Sequence, residues 1–201
     1  QMTTGRDLIG TVVGSAGSGK TTALDAVSYA LGRRAMTIYG VSTAAIATQG
    51  LKDAAHIDGS TVAALAHDEP GSHYEMARVS TRAVRSGDGW QLTGAKAVVV
   101  QGDNAQLLLV SARTAGDVGS EDGISLFLVP ADSAGVARRG MGRIDGGRVA
   151  EITLDNVQLG ADALLGTEGQ GFATLELAMG WGVLALCAEA LGAMEVAKKD
   201  T

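Results

Sequence analysis

Ala77-Arg78-Val79-Ser80-Thr81-Arg82-Ala83-Val84-Arg85, then Gly87-Asp88-Gly89, then Trp90-Gln91-Leu92-Thr93: this stretch decides the fold. Residues 77–85 alternate apolar and polar side chains, the period of a half-buried strand. The glycines around Asp88 supply a tight turn, and the next apolar pair restarts the alternation, so the segment reads as a hairpin. The same signature repeats outward. Strands are expected at Lys96–Val100, Leu107–Ala112, Ile124–Val129, Val136–Arg139 and Val149–Leu154, with Gly102-Asp103-Asn104 and Asp122-Gly123 among the turns. Short strands at such spacing indicate a small antiparallel barrel or sandwich.

After Gly169-Gln170-Gly171 the period becomes helical. Phe172, Leu175, Met179, Val183, Leu186, Ala190 and Met194 recur every three or four residues and form one apolar stripe. Its partner helices are expected to be absent or to come from another subunit.

Toward the N-terminus, Leu8-Ile9-Gly10-Thr11-Val12-Val13 reads as a buried parallel strand running into Gly14-Ser15-Ala16-Gly17-Ser18-Gly19-Lys20-Thr21. That octet satisfies the phosphate-loop spacing of two glycines, a lysine and a hydroxyl. Gly14, Gly17 and Gly19 let backbone N–H groups turn toward phosphate oxygens, Lys20 reaches the terminal phosphates, and Thr21, followed by Thr22, can hold Mg²⁺. ATP with Mg²⁺ is the ligand expected there. No apolar run ending in Asp-Glu follows to complete the metal site, so binding without hydrolysis is the most this segment offers.

Composition sets the outer limits. The 201 residues are 46% hydrophobic and 19% charged, with 29 glycines, and suffice for one ordinary domain or two small ones. The net charge of −6 is uneven: residues 1–67 carry five Lys/Arg against four Asp/Glu, and residues 68–201 carry eleven against eighteen. The acidic second part argues against nucleic-acid binding. The lone Cys187 excludes a disulfide framework and reads as a small buried hydrophobe in a reducing compartment. The uncharged run Leu177–Ala188 is shorter than the roughly 20 residues of a bilayer span, and Gln1–Gly10 lacks a signal-peptide pattern. A soluble, cytoplasmic chain is expected. His56, His67 and His73 are too irregularly spaced to suggest a metal site.

Two resemblances add to this reading. Gly14 to Thr22, Val41-Ser42-Thr43-Ala44-Ala45 and His56 to Leu65 resemble the start of the helicase domain of conjugative relaxases, over about sixty residues. From Asp68 onward the chain resembles acyl-CoA dehydrogenases. The matches are Glu69-Pro70-Gly71-Ser72, Asp88 to Lys96, Gly123 to Val129, Ala163-Leu164-Leu165-Gly166, Gly169-Gln170-Gly171 and Ala188-Glu189-Ala190-Leu191-Gly192. Within that family the chain most resembles the pimeloyl-CoA dehydrogenase small-subunit branch.

The second resemblance implies a barrel covering FAD and one side of an acyl-CoA thioester, then the first helix of a C-terminal bundle. It implies flavin contacts at Glu69, Pro70 and Ser72, with Asp68 in place of the family's Thr. Where the family sets a Trp and a Thr against the flavin, this chain has Val98 and Val100, which implies weak flavin binding. Some members carry the catalytic Glu on this helix; here the aligned residue is Gly182, and the neighbouring Arg falls on Val183. Glu176 and Glu189 read as helix-surface acids, so no catalytic residue is assigned, and the chain alone is not expected to turn over acyl-CoA.

The expected organisation is α+β: a truncated P-loop α/β unit at 1–67, a small antiparallel β-barrel at 68–160, and a connecting loop with a long helix at 161–201. Three functions stay open. They are a flavin domain of an acyl-CoA dehydrogenase that depends on a second such subunit, an ATP-binding module of relaxase or helicase type, and two joined fragments with no single function.

Overall fold

The structure, a computed structural model, describes Val41–Ser42 and residues 61–144 and 146–199. Its strands are β1 (Val41–Ser42), β2 (Thr61–Ala66), β3 (Arg82–Ser86), β4 (Gly89–Val100), β5 (Leu107–Arg113), β6 (Ile124–Pro130), β7 (Val136–Gly142), β8 (Arg148–Leu159) and β9 (Leu164–Leu165). A 3₁₀ turn at Ala161–Ala163 precedes β9, and helix α1 (Gly171–Lys199) follows it. The phosphate-loop residues Gly14, Gly17, Gly19, Lys20, Thr21 and Thr22 lie outside the described residues.

The strands form one sheet in the order β1-β2-β5-β3-β4-β8-β7, with β6 on β5 and β9 on β6. Most ladders are antiparallel, but β2 runs parallel to β5, pairing Ala63 with Leu107 through Ala66 with Val110. The sheet is therefore mixed, not wholly antiparallel as expected. Parallel neighbours need a long crossover, and here β3 and β4 supply it. β2 also moves the start of the sheet: residues 61–66, expected in a separate phosphate-loop unit ending at 67, are strand neighbours of β5.

The β3–β4 hairpin follows its sequence. Ser86 pairs with Gly89 across the two-residue loop Gly87-Asp88, and Gly87 takes φ +58, the left-handed geometry that matches strand twist. The alternation over 77–81 does not make a strand, and β3 begins at Arg82. β4 joins two expected strands into one of 12 residues, interrupted by register shifts against β8.

The main core draws Val62 and Ala64 from β2, Trp90 and Leu92 from β4, Leu108 and Val110 from β5, Phe127 from β6 and Ile152 from β8. Trp90 and Phe127 meet edge-to-face with centroids 5.1 Å apart. β6 is buried on both faces. Phe127 and Val129 enter this core, while Ile124 and Leu126 join Val79 and Leu175 in a second cluster edged by Phe172. Burial on both faces accounts for the nearly continuous apolar run of β6.

That second cluster anchors α1 by its first turn and a half. Beyond Leu175 the apolar stripe faces outward: Val183 is 56% exposed, Leu186 64% and Met194 62%. Cys187 is exposed as well, not buried as expected, because it lies beyond the part of α1 that rests on the sheet. The membrane expectation also changes. It counted only the uncharged run 177–188, whereas the continuous helix contains a stretch, Gly171–Glu195, of mean hydropathy 1.6. By length and composition that stretch is long and apolar enough to cross a bilayer.

Candidate functional site

The loop after β2 is fixed by one buried lysine. Inward positions on β4 recur every second residue, Trp90, Leu92 and then Lys96, so strand geometry drives Lys96 into the interior. Its Nζ donates to Glu69 Oε1 at 2.7 Å, Ser111 Oγ at 3.0 Å and the His67 carbonyl at 3.1 Å. All three ammonium donors are used. Glu69 answers with both oxygens: Oε1 accepts from Thr81 N at 2.9 Å and Oε2 from Ser80 N at 2.6 Å.

The pair is almost dry, with side-chain exposures of 0% for Lys96 and 5% for Glu69. Burial lowers the Lys96 pKa to about 8, although Glu69 opposes the shift. Burial pushes the Glu69 carboxyl up, but the Lys96 ammonium and the hydrogen bonds outweigh it and hold the group below its ordinary value. Burial, then Lys96, lowers the pKa of His67, whose Nδ1 lies 2.9 Å from Ser111 Oγ.

A second cation secures the outer end of this region. Arg113, 2% exposed at the end of β5, donates to the carbonyls of Ala77, Val79, Ala115, Ser120 and Asp122. The planar five-donor fork suits this task. It clamps 77–79 as a loop, which is why the alternation there does not yield a strand. Within the hairpin it holds, Gly123 takes φ +87 and passes so close to Ala115 O that a Cβ would collide.

Between the fixed loop, the far half of β4 and α1 lies a groove of about 210 Å³. Leu65, His67 and Asp68 line it from one side, Ala97, Val98 and Val100 from β4, and Met179 from α1. The Ala97 N–H donates to the Asp68 carbonyl at 2.8 Å, tying the two walls together. Val98 sits where β4 slips register against β8, between Lys96 and Val99, and takes φ +53. A β-branched residue in the left-handed region is strained, and such strain clusters at ligand sites. The bulge leaves Val98 61% and Val100 46% exposed.

The residues singled out from sequence thus separate into two groups. Val98 and Val100 share the groove with Asp68. Glu69 does not enter it, since its carboxylate is turned inward and fully engaged by Lys96, Ser80 and Thr81. Ser72 is buried with Oγ 3.4 Å from the Glu69 N–H, a loop contact, and Pro70 is exposed away from the groove lining. Glu176 and Glu189 are exposed on α1 and Val183 faces outward, so α1 contributes Met179, not a carboxylate, to the groove. Sequence reading missed Leu65, His67, Lys96 and Met179. For Lys96 the signal was present, because the period of two from Trp90 places it inside.

This apolar, bulged wall fits one face of a planar aromatic ring system. At about 210 Å³ the groove falls below the roughly 300–1,000 Å³ of complete ligand pockets and has the size of half a site.

Comparison with known proteins bears on the fold that carries this groove. Residues 64–157 match the acyl-CoA dehydrogenase middle domain, a match that begins inside β2 and ends inside β8. The cyclohex-1-ene-1-carbonyl-CoA dehydrogenase of Geobacter metallireducens is 30% identical over 155 residues, covering 72% of this chain and 40% of that enzyme. The mitochondrial long-chain specific acyl-CoA dehydrogenase of Mus musculus is 37% identical over 121 residues, covering 57% and 27%. The crystal structure of an acyl-CoA dehydrogenase from Geobacillus kaustophilus superposes with a TM-score of 0.54 at 32% identity, covering 58% of this chain and 32% of that one. The chain spans 27% to 40% of the length of these relatives. Residues 64–157 are an acyl-CoA dehydrogenase-like middle domain, and α1 continues from it.

Proposed function

We propose that this chain supplies the flavin-facing wall of an FAD-dependent oxidoreductase acting on the CH–CH bond of an acyl-CoA thioester. The observation that carries the reading is the strained bulge at Val98, which lays an apolar wall of Ala97, Val98 and Val100 along the groove. FAD held against this wall would supply the acceptor for a hydride leaving the carbon β to the thioester, with a base taking the α proton. This chain's part is binding and shape: Val98 and Val100 support the ring, while Lys96 and Glu69 fix the loop that forms the opposite rim. The remaining wall and the base are supplied from outside this wall, and a second subunit of acyl-CoA dehydrogenase type docks over the outward stripe of α1 in a cytoplasmic assembly.

Titration of the purified chain with FAD, followed by visible absorbance and fluorescence, tests the reading. Saturable binding weakened by Val98→Asp supports it. Absence of binding at high flavin concentration refutes it.

A second reading rests on Gly14 to Thr21, whose spacing suits the phosphates of ATP with Thr21 on Mg²⁺. Mg²⁺-dependent ATP binding abolished by Lys20→Ala supports it, and ATP binding that Lys20→Ala leaves intact counts against it.

A further inference from the structure

The groove lining holds one feature that an apolar ring site does not require. Leu65, Ala97, Val98, Val100 and Met179 are apolar, yet Asp68 lines the same space. The Asp68 carbonyl is occupied by the Ala97 N–H, which fixes the backbone. Its side-chain carboxylate has no hydrogen-bond or ion-pair partner among the described residues. The charges around it do not cancel it. Lys96 is the neighbouring cation, but its three donors are spent on Glu69, Ser111 and the His67 carbonyl, and Glu69 already balances its charge. His67 has its Nδ1 at Ser111. On the α1 side, the nearest titratable group along the helix is Glu176, one turn before Met179 and also acidic. Asp68 is exposed and its field reaches Lys96 and His67, but among the described residues no cation pairs with it directly, so the wall carries a negative charge at its rim.

We propose that Asp68 is a redox-tuning residue: its carboxylate makes the groove favour the neutral oxidised flavin ring over the anionic reduced one. The inference rests on the flavin reading given above. Reduction adds two electrons and one proton to the ring, leaving one net negative charge on it. The diphosphate of FAD is common to both states, so its repulsion by Asp68 cancels in the comparison and the ring charge alone is discriminated. Two like charges across a groove lined by apolar side chains repel more strongly than in water, and an open groove moderates the effect.

The test is a spectroelectrochemical titration of the FAD complex of the full chain, with two electrons delivered by dithionite, in wild type, Asp68→Asn and Asp68→Glu. Asp68→Asn is expected to raise the relative affinity for reduced over oxidised FAD about tenfold, a rise of about 30 mV in midpoint potential. Asp68→Glu keeps the charge and is expected to stay near wild type, which separates charge from loop structure. The same shift should shrink on raising the salt concentration. A complex that forms but shows the same potential in wild type and Asp68→Asn overturns this inference and leaves the flavin reading standing. A shift as large in Asp68→Glu as in Asp68→Asn also overturns it, because shape and not charge then governs. Failure of FAD to bind wild type overturns both.

Discussion

Replacing Lys96 with methionine tests whether the groove stands on a buried ion pair. Methionine preserves most of the volume, so the cavity cost is small and the charge is what is removed. Glu69 is then left 5% exposed at its side chain with two backbone donors, Ser80 N and Thr81 N, and no counter-ion. Ser111 Oγ and the His67 carbonyl each lose a donor. Removing one partner of a buried pair costs about 3–5 kcal/mol, a large share of a domain stability of roughly 5–15 kcal/mol. The assay is urea unfolding followed by circular dichroism at pH 7.5, for Lys96→Met, Glu69→Gln and the double variant. Because the partners touch, the double variant should be less destabilised than the two singles summed, by about 2 kcal/mol or more. The pH dependence gives an independent sign. In wild type the Glu69 pKa is held below its ordinary value, so its contribution is present above the ordinary carboxyl pKa and is lost as pH falls through the folded value. Without Lys96, burial dominates and pushes the Glu69 carboxyl up, so stability is lost as pH rises through the new value. Lys96→Met should therefore gain on wild type between pH 7.5 and pH 5. The Lys96 pKa of about 8, against 10.5 in an ordinary lysine, sets a further sign. The unfolded chain binds more protons between those values, so wild-type stability climbs across that window by at most about 1.4 kcal/mol per pH unit. A Lys96→Met variant within about 1 kcal/mol of wild type at pH 7.5, or one with the same pH trend as wild type, would refute the reasoning.

Two further outcomes follow from the same geometry. Arg113→Met leaves five buried or half-buried carbonyls without their donor, and a loss of about 3 kcal/mol or more is expected in thermal or urea unfolding. Arg113→Lys should recover little of it, since an ammonium cannot span the fork. Val98→Gly releases a β-branched residue from φ +53; the gain of about 1–2 kcal/mol in relieved strain is partly offset by glycine's backbone entropy. Net stability should stay level or rise while FAD affinity falls, a divergence that parallel unfolding and flavin titrations detect.

How far the sequence was legible depended on whether a residue's role was local. Strand period and turn chemistry located β5, β6 and the β3–β4 hairpin, because side-chain alternation and Gly87 act within a few residues. Val98 and Val100, singled out by resemblance as flavin-side positions, line the groove. The failures were long-range. β2 is a run of small residues, Thr61-Val62-Ala63-Ala64-Leu65-Ala66, whose meaning is set by β5 some forty residues away, so it was read as part of a nucleotide motif. The inward turn of the Glu69 carboxylate was not legible, because its partner, Lys96, is 27 residues on. The alternation of 77–81 promised a strand until Arg113, 34 residues from Val79, claimed the carbonyls. In each case the deciding partner, a strand for β2 and a buried cation for the other two, lies far along the chain, where local pattern does not reach.

The buried Lys96 and the anchored base of α1 together explain why the groove can remain shaped while only half enclosed. An open apolar depression is costly in water and tends to collapse, since its walls gain by meeting. Here each wall is held from behind. Lys96 holds the 67–69 loop through two of its donors and anchors to β5 at Ser111 through the third, and the Ala97 N–H ties that loop to the bulge of β4. On the other side, Phe172 and Leu175 hold the base of α1 against Ile124 and Leu126 of β6, so that Met179 stands at the groove while the helix beyond it has no wall among the described residues. Collapse would require breaking the buried ion pair or the α1 anchor, each worth more than the modest apolar area of a groove of about 210 Å³. Preorganisation of this kind is what the proposed function asks of a binding wall: whatever completes the site then finds a formed surface, and the free energy of association goes into the ligand and not into ordering the loop.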